Sequence, residues 1–127
     1  DPYFEDAYDT LAYQLYKGFK QTEKAIELVD EGLKFTPESF ELNWRRAFFA
    51  EKQQDWLTAL KYSNIAYKLA REDMQLLATY RCLYRCAVHL NDARLGMQVV
   101  DLIRQRAPTP LYDEQYEKWR RQLEQPQ

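Results

Sequence analysis

Apolar residues fall three and four apart along this chain, the spacing that gathers them on one face of an α-helix. Tyr8, Leu11, Ala12 and Leu15 make the first such stripe, over about 5–17, and Gly18 ends it. Thr22 is placed to cap a second helix, whose inward side is Ala25, Ile26, Val29 and Leu33. Thr36-Pro37 closes it, because a residue before proline avoids helical angles. Ser39 caps a third helix over about 40–52, carrying Leu42, Trp44, Ala47, Phe48 and Phe49. After a turn at Gln53-Gln54-Asp55, a fourth covers about 56–70 and buries Leu57, Leu60, Ile65, Ala66 and Leu69. A fifth spans about 73–90, Asn91-Asp92 turns the chain, and a sixth runs to about 105 with Leu95, Val99, Val100, Leu102 and Ile103. Pro108 and Pro110 bracket a stop. A last helix over about 112–124 puts Tyr116, Trp119 and Leu123 on one side, with Glu, Lys, Arg and Gln on the other. The expected fold class is all-α.

The stripes repeat. Small residues recur at Ala25, Ala59 and Gly96, 34 and 37 residues apart, each inside an amphipathic segment. Upstream of each lies a second one: Tyr8-Leu11-Ala12-Leu15, Asn43-Arg46-Ala47-Ala50 and Tyr80-Leu83-Tyr84-Ala87. A period in the mid-thirties with two helical stretches per copy is the mark of stacked helix pairs, in which each pair buries its apolar side only against its neighbours.

Composition narrows the class further. At 127 residues the chain is one domain's length, and three glycines and five prolines leave little room for flexible linker. Ten tyrosines can fill wide helix interfaces while keeping a polar tip. The net charge of −2 is unevenly spread: ten acidic residues face four lysines through Glu41, whereas fourteen basic residues face ten acidic ones beyond it. An acidic first third argues against a nucleic-acid reader, which needs a surplus of Lys and Arg to neutralise phosphates. No apolar run reaches the roughly 18 residues of a membrane span. Cys82 and Cys86, four apart on one helix, are poorly set to pair with each other and lean towards a reducing, cytoplasmic setting.

Laid side by side, the units resemble the tetratricopeptide repeat (TPR) family, whose 34-residue unit reads W-x2-L-G-x2-Y, then A-x3-F, then P. The first copy offers Tyr8-x2-Leu11-Ala12-x2-Leu15, then Ala25-x3-Val29-x2-Gly32 and Pro37. The third offers Tyr80-x2-Leu83-Tyr84-x2-Ala87, then Gly96-x3-Val100-x2-Ile103 and Pro108. The middle copy departs most, with Arg46 in a slot that wants Leu and Arg71 in place of the closing proline. The resemblance implies a right-handed superhelical stack of three antiparallel helix pairs, at about 5–37, 38–72 and 73–108, sealed by a capping helix at about 112–124. Asp1-Pro2 looks like the tail of a preceding repeat, so a piece of a longer array is expected.

In that family the first helix of each pair lines a concave groove that takes an extended peptide or a partner helix. The matching positions here are Asp9 and Tyr13 in the first copy, Trp44, Arg45 and Phe48 in the second, and Arg81, Arg85 and His89 in the third. Aromatic rings beside arginine suit recognition, offering large contact area and charge-assisted hydrogen bonds. The expectation is that an acidic-aromatic or carboxylate-bearing segment docks on Arg81 and Arg85, with Trp44 and Phe48 supplying apolar pockets. The competing reading keeps Trp44 and Phe48 in the core and leaves the arginines as a solvated face. One TPR subfamily grips the C-terminal carboxylate of heat-shock chaperones with Lys, Asn and Arg; the matching positions here are Asp9, Tyr13, Arg45, Ala78 and Cys82. Only Arg45 can hold an anion there and Asp9 would repel one, so that clamp is absent.

Cys82, Cys86 and His89 can share one helix face, but no fourth ligand suggests itself, and buried thiols in a helix interface explain the pair better than a metal. His89 is the sole histidine, and no nucleophile-base arrangement or Gly-rich phosphate loop accompanies it. The reading is a non-catalytic protein-protein interaction scaffold without cofactor or metal. Its partner is a peptide or helix of another protein rather than nucleic acid or membrane, with a second copy of the chain left open. Two alternatives stand beside it: a structural or self-association module of a larger secretion, envelope or assembly machine, and a helical-repeat RNA binder.

Overall fold

The computed structural model describes residues 2–107 and 110–125. In these residues seven helices follow one another: α1 (Pro2–Lys17), α2 (Thr22–Phe35), α3 (Phe40–Lys52), α4 (Trp56–Leu69), α5 (Asp73–Leu90), α6 (Ala93–Arg106) and α7 (Pro110–Glu124). Among the described residues there is no strand, and the fold is all-α. Among the described residues no helix is long and apolar enough to cross a membrane. Asp1 and Pro108, which entered the repeat alignment, lie outside the described residues.

Local chemistry sets the breaks. Ser39 Oγ accepts from Leu42 N at 3.2 Å, Asp55 Oδ1 from Thr58 N at 3.2 Å and Asp92 Oδ1 from Leu95 N at 3.0 Å, so three helix starts satisfy backbone donors that the helix leaves open. Ahead of α5, Gln75 Oε1 reaches back to accept from Glu72 N at 3.2 Å and from Arg71 N at 2.9 Å. Asn91 ends α5 in the left-handed region, φ 53°, a conformation its short amide tolerates. Lys20 and Gln54 adopt similar angles in their turns, φ 54° and 59°.

Each helix packs on the next in sequence, and short loops turn it back against the last. Beyond that, α3 also packs on both α1 and α5, whereas α2, α4 and α6 do not pack on one another. The first helices of the three pairs therefore form one continuous layer. Two of the small residues work as their spacing suggests: Ala25 and Ala59 are wholly buried, letting the second helix of each pair approach closely, whereas Gly96 is buried against Trp119 of α7. Core clusters run along the molecule from Ala12, Val29, Leu42 and Phe49, through Ala47, Ala59, Cys82 and Cys86, to Val99, Ile103 and finally Trp119 of α7.

Several expectations are corrected. α1 begins at Pro2 rather than near Glu5, and Pro110 opens α7 instead of standing before it, a position where its missing N–H costs nothing. Gln21, not Thr22, is the N-cap of α2, and its side chain makes no capping hydrogen bond. Leu57 was expected inside but is 70% exposed, because α4 touches only α3 and α5 and its outer turn has nothing to cover it. Arg46, the misfit in a leucine slot, has a role of its own: Nε donates to Asp30 of α2 at 3.0 Å, and the guanidinium lies 5.3 Å from the ring centre of Tyr62 on α4.

Candidate functional site

The layer made by α1, α3 and α5 carries the eight residues picked out by sequence. Four-residue spacing puts Asp9 and Tyr13 on one face of α1, Trp44 and Phe48 on one face of α3, and Arg81, Arg85 and His89 in a row on α5. The structure brings five of them together. Arg45 Nε donates to Asp9 Oδ1 at 2.7 Å and its terminal nitrogen reaches Oδ2 at 3.5 Å, tying α3 to α1. The same guanidinium lies over three rings, 4.6 Å from the centre of Tyr13, 5.0 Å from Trp44 and 5.2 Å from Phe48. Trp44 and Phe48 stack on each other at 6.0 Å, and Lys52 Nζ sits 5.1 Å from the Phe48 ring. A cation over a ring face is attracted by the ring's negative quadrupole, so this group holds its own shape.

Trp44 and Phe48 are neither core nor free surface. Both are half-buried: Phe48 also packs edge-on against Tyr16 at 5.5 Å, at the margin of the first core cluster. Asp9, expected to repel an anion there, pairs with Arg45 and so occupies the one group at those positions that could hold one.

On α5 the three residues separate. Arg85 is already engaged, its fork donating to Glu51 of α3 at 2.8 and 3.0 Å. Glu51 is a residue that the repeat comparison passed over, though a carboxylate 34 positions before an arginine, one repeat apart, was the available signal. Its carboxylate is largely buried, and it stands beside Cys82. The hydrogen bond to Cys86, burial and then Glu51 all push the Cys82 thiol far up, so it remains protonated. Both thiols are buried against Ala47, Ala50 and Ala59, while His89 lies flat on Trp56 of α4, ring centres 3.8 Å apart and planes within 4°. All three residues of the Cys82-Cys86-His89 face thus meet α4, the thiols meeting α3 as well. Arg81 is exposed and has no ion-pair or hydrogen-bond partner among the described residues.

Electrostatically this layer has two internal ion pairs, Asp9-Arg45 and Glu51-Arg85, stitching α1 to α3 and α3 to α5. Among the described residues neither pair includes Arg81 on α5 or Lys52 on α3, and Lys52 stands beside the rings; the carboxylates Asp6 on α1 and Glu41 on α3 are outside the pairs as well. A concavity of about 720 Å³ opens between α4 and α6 with Leu60, Tyr67, Tyr80, Leu83, Leu95 and Leu102 in its lining; the sequence read these residues as core and not as a site. Compared with known proteins, no family model and no curated sequence matches the chain.

Proposed function

We propose that this chain is a non-catalytic interaction scaffold of the TPR type, in which α1, α3 and α5 line a groove for a peptide or helix of a partner protein and α7 caps the stack. The observation that carries this reading is the Tyr13-Trp44-Phe48 shelf, half-open to solvent and fixed in place by the Asp9-Arg45 pair. Rings locked by packing lose little freedom when a ligand covers them, so contact area turns into affinity with a small ordering cost. The partner segment is apolar or aromatic where it meets the shelf and bears a carboxylate for Arg81 and Lys52. Arg85 drops out as an anchor, since Glu51 already occupies its fork. Burial of both cysteines as free thiols supports a reducing compartment.

The test is an affinity capture with the isolated chain, run beside Trp44→Ala, and peptide mapping of what each retains. The groove reading requires a mapped segment that carries an acidic residue near an aromatic or aliphatic one and that Trp44→Ala loses. A partner retained equally by both proteins would place recognition elsewhere.

A further inference from the structure

α4 and α6 do not pack on one another; both pack on α5, which runs opposite to each, so the two point the same way along the groove between them. Their facing sides read alike. On α4 the order is Leu60, Asn64, Tyr67, and on α6 it is Leu95, Gln98, Leu102, one helical turn separating each residue from the next. An amide thus stands between two apolar levels on both walls of the cavity of about 720 Å³, and Tyr80 and Leu83 of α5 form its floor. Both walls lie inside the chain, α4 after α3 and α6 before α7, so this opening does not arise where the sequence starts or stops. None of the ring-shelf residues lines it, and the two sites stand or fall separately.

We propose that this groove holds a segment of a partner protein in the polyproline-II conformation, with apolar side chains at positions i and i+3 and a basic residue just beyond them. The apolar levels set the spacing. Leu60 to Tyr67, like Leu95 to Leu102, is seven residues of helix, about 10 Å. A polyproline-II chain returns to the same side every third residue, about 9 Å on, whereas a strand does so at about 7 Å and again at about 13 Å. Tyr67 and Tyr80, ring centres 5.6 Å apart, give one level the flat apolar face on which proline rings pack. The amides decide what lies between the levels. Asn64 and Gln98 are exposed and make no side-chain hydrogen bond among the described residues. Each offers a donor and an acceptor side by side, the complement of a backbone N–H and C=O, and a polyproline-II backbone has no internal bonds to compete. An α-helix also repeats after seven residues, but its backbone groups are already bonded and leave the amides idle. Charge selects the end. The lining carries two carboxylates, Asp92 and Asp101, against one guanidinium, Arg94, and none of the three is in an ion pair among the described residues. Arg94 is two residues from Asp92. At the Leu102 end, Asp101 is exposed and accepts from Gln105 of its own helix, while Arg104 pairs with Asp113 and Arg106 lies over the Tyr80 ring at 5.5 Å. A lysine or arginine on the segment meets Asp101.

The experiment titrates the whole chain by calorimetry with the synthetic peptide acetyl-Pro-Pro-Leu-Pro-Pro-Leu-Pro-Lys-amide. The wild-type chain binds it, and a peptide of the same composition with its leucines two apart binds roughly tenfold more weakly. Asn64→Leu with Gln98→Met, both at exposed positions, also costs roughly tenfold in affinity, and circular dichroism checks that this variant remains folded. Asp101→Lys weakens the lysine peptide and favours one in which glutamate replaces the lysine. Absence of binding overturns the proposal. Equal or tighter binding by the Asn64→Leu, Gln98→Met variant also overturns it, because apolar contact alone then holds the ligand. So does tighter binding of an amphipathic helical peptide with leucines seven apart, which makes a helix the occupant.

Discussion

A Cβ added to Gly96 of α6 would lie 2.7 Å from Cε2 of Trp119 on α7, and 2.8 and 2.9 Å from Nε1 and Cδ2. The indole is 5% exposed and its Nε1 is the buried side-chain donor without a hydrogen-bond partner among the described residues. Alanine occupies the equivalent places at 25 and 59, so the glycine here is the accommodation that lets a large ring lie flat on α6.

Gly96→Ala pits two effects against each other. Alanine in a helix interior gains about 0.5–1 kcal/mol over glycine, while overpacking a filled site costs about 1–3 kcal/mol. The clash is with a rigid ring rather than the end of a flexible chain, so overpacking wins and the variant is less stable by about 1 kcal/mol. Urea unfolding at constant slope measures it. Trp119→Phe removes the clash and the orphaned donor together; in that background Gly96→Ala becomes neutral or stabilising. A double-mutant cycle without coupling would separate α7 from α6 in solution.

Asp55 gives the fold a titratable stop. Its Oδ2 accepts from the Thr58 hydroxyl at 2.7 Å and its Oδ1 from Thr58 N, and these bonds hold its carboxyl below the ordinary aspartate value. A depressed folded value means that the capping stability is fully present above the unfolded aspartate pKa, about 3.9, and is lost as pH falls through the folded value. Asp55→Asn keeps an N-cap oxygen but cannot titrate, so its stability falls less steeply at the acid end. Asp55→Ala costs about 1 kcal/mol at neutral pH. Both follow from thermal melts across pH; identical acid limbs for wild type and Asp55→Asn would remove Asp55 from the account.

How much of this could be read in advance depends on whether the deciding interaction is local. Ser39, Asp55 and Asn91 were legible because a cap or turn is settled within four residues, and the small residues Ala25 and Ala59 because close approach recurs with the period; Gly96 kept the period but owes its size to Trp119 of α7. Leu57 was misplaced for the converse reason: periodicity identifies the apolar side of a helix but not whether a neighbour covers it. The same limit hid the ion pairs. Asp9 and Arg45 were each picked out, yet their pairing is a fact of register between α1 and α3, and Glu51 acquires its role only because α3 and α5 lie side by side.

Cys82 and Cys86 offer a probe of how often α5 opens. Both thiols are buried, and Cys82 is held in its protonated form by Cys86, burial and Glu51. Alkylating reagents need an exposed thiolate, so the folded chain modifies slowly and the rate tracks unfolding rather than reagent strength. Raising urea below the midpoint should accelerate labelling in step with the unfolded fraction. Rapid labelling of either cysteine at neutral pH without denaturant would show that the α3-α5 interface opens locally.

Arg81 and Arg85 sit one turn apart on α5 and look interchangeable in sequence, but their environments assign them different work. Removing Arg85 strands the Glu51 carboxylate, largely buried and next to a protonated thiol, whereas removing Arg81 strands nothing. A charged hydrogen-bond partner lost in this way costs roughly 2 kcal/mol, moderated here because Arg85 itself is half-exposed and water can follow it out. Arg85→Ala should therefore lower the urea midpoint while leaving the affinity of the folded chain for its captured segment nearly intact. Arg81→Ala should do the reverse, unfolding as wild type does and losing roughly tenfold in affinity for a carboxylate-bearing segment, about 1.4 kcal/mol. Glu51→Gln with Arg85→Met, which removes both charges and keeps much of the volume, recovers most of the stability lost in Arg85→Ala alone. If instead Arg85→Ala cost affinity and not stability, the Glu51 pair would be a resting contact that a ligand displaces, and Arg85 would return to the binding face.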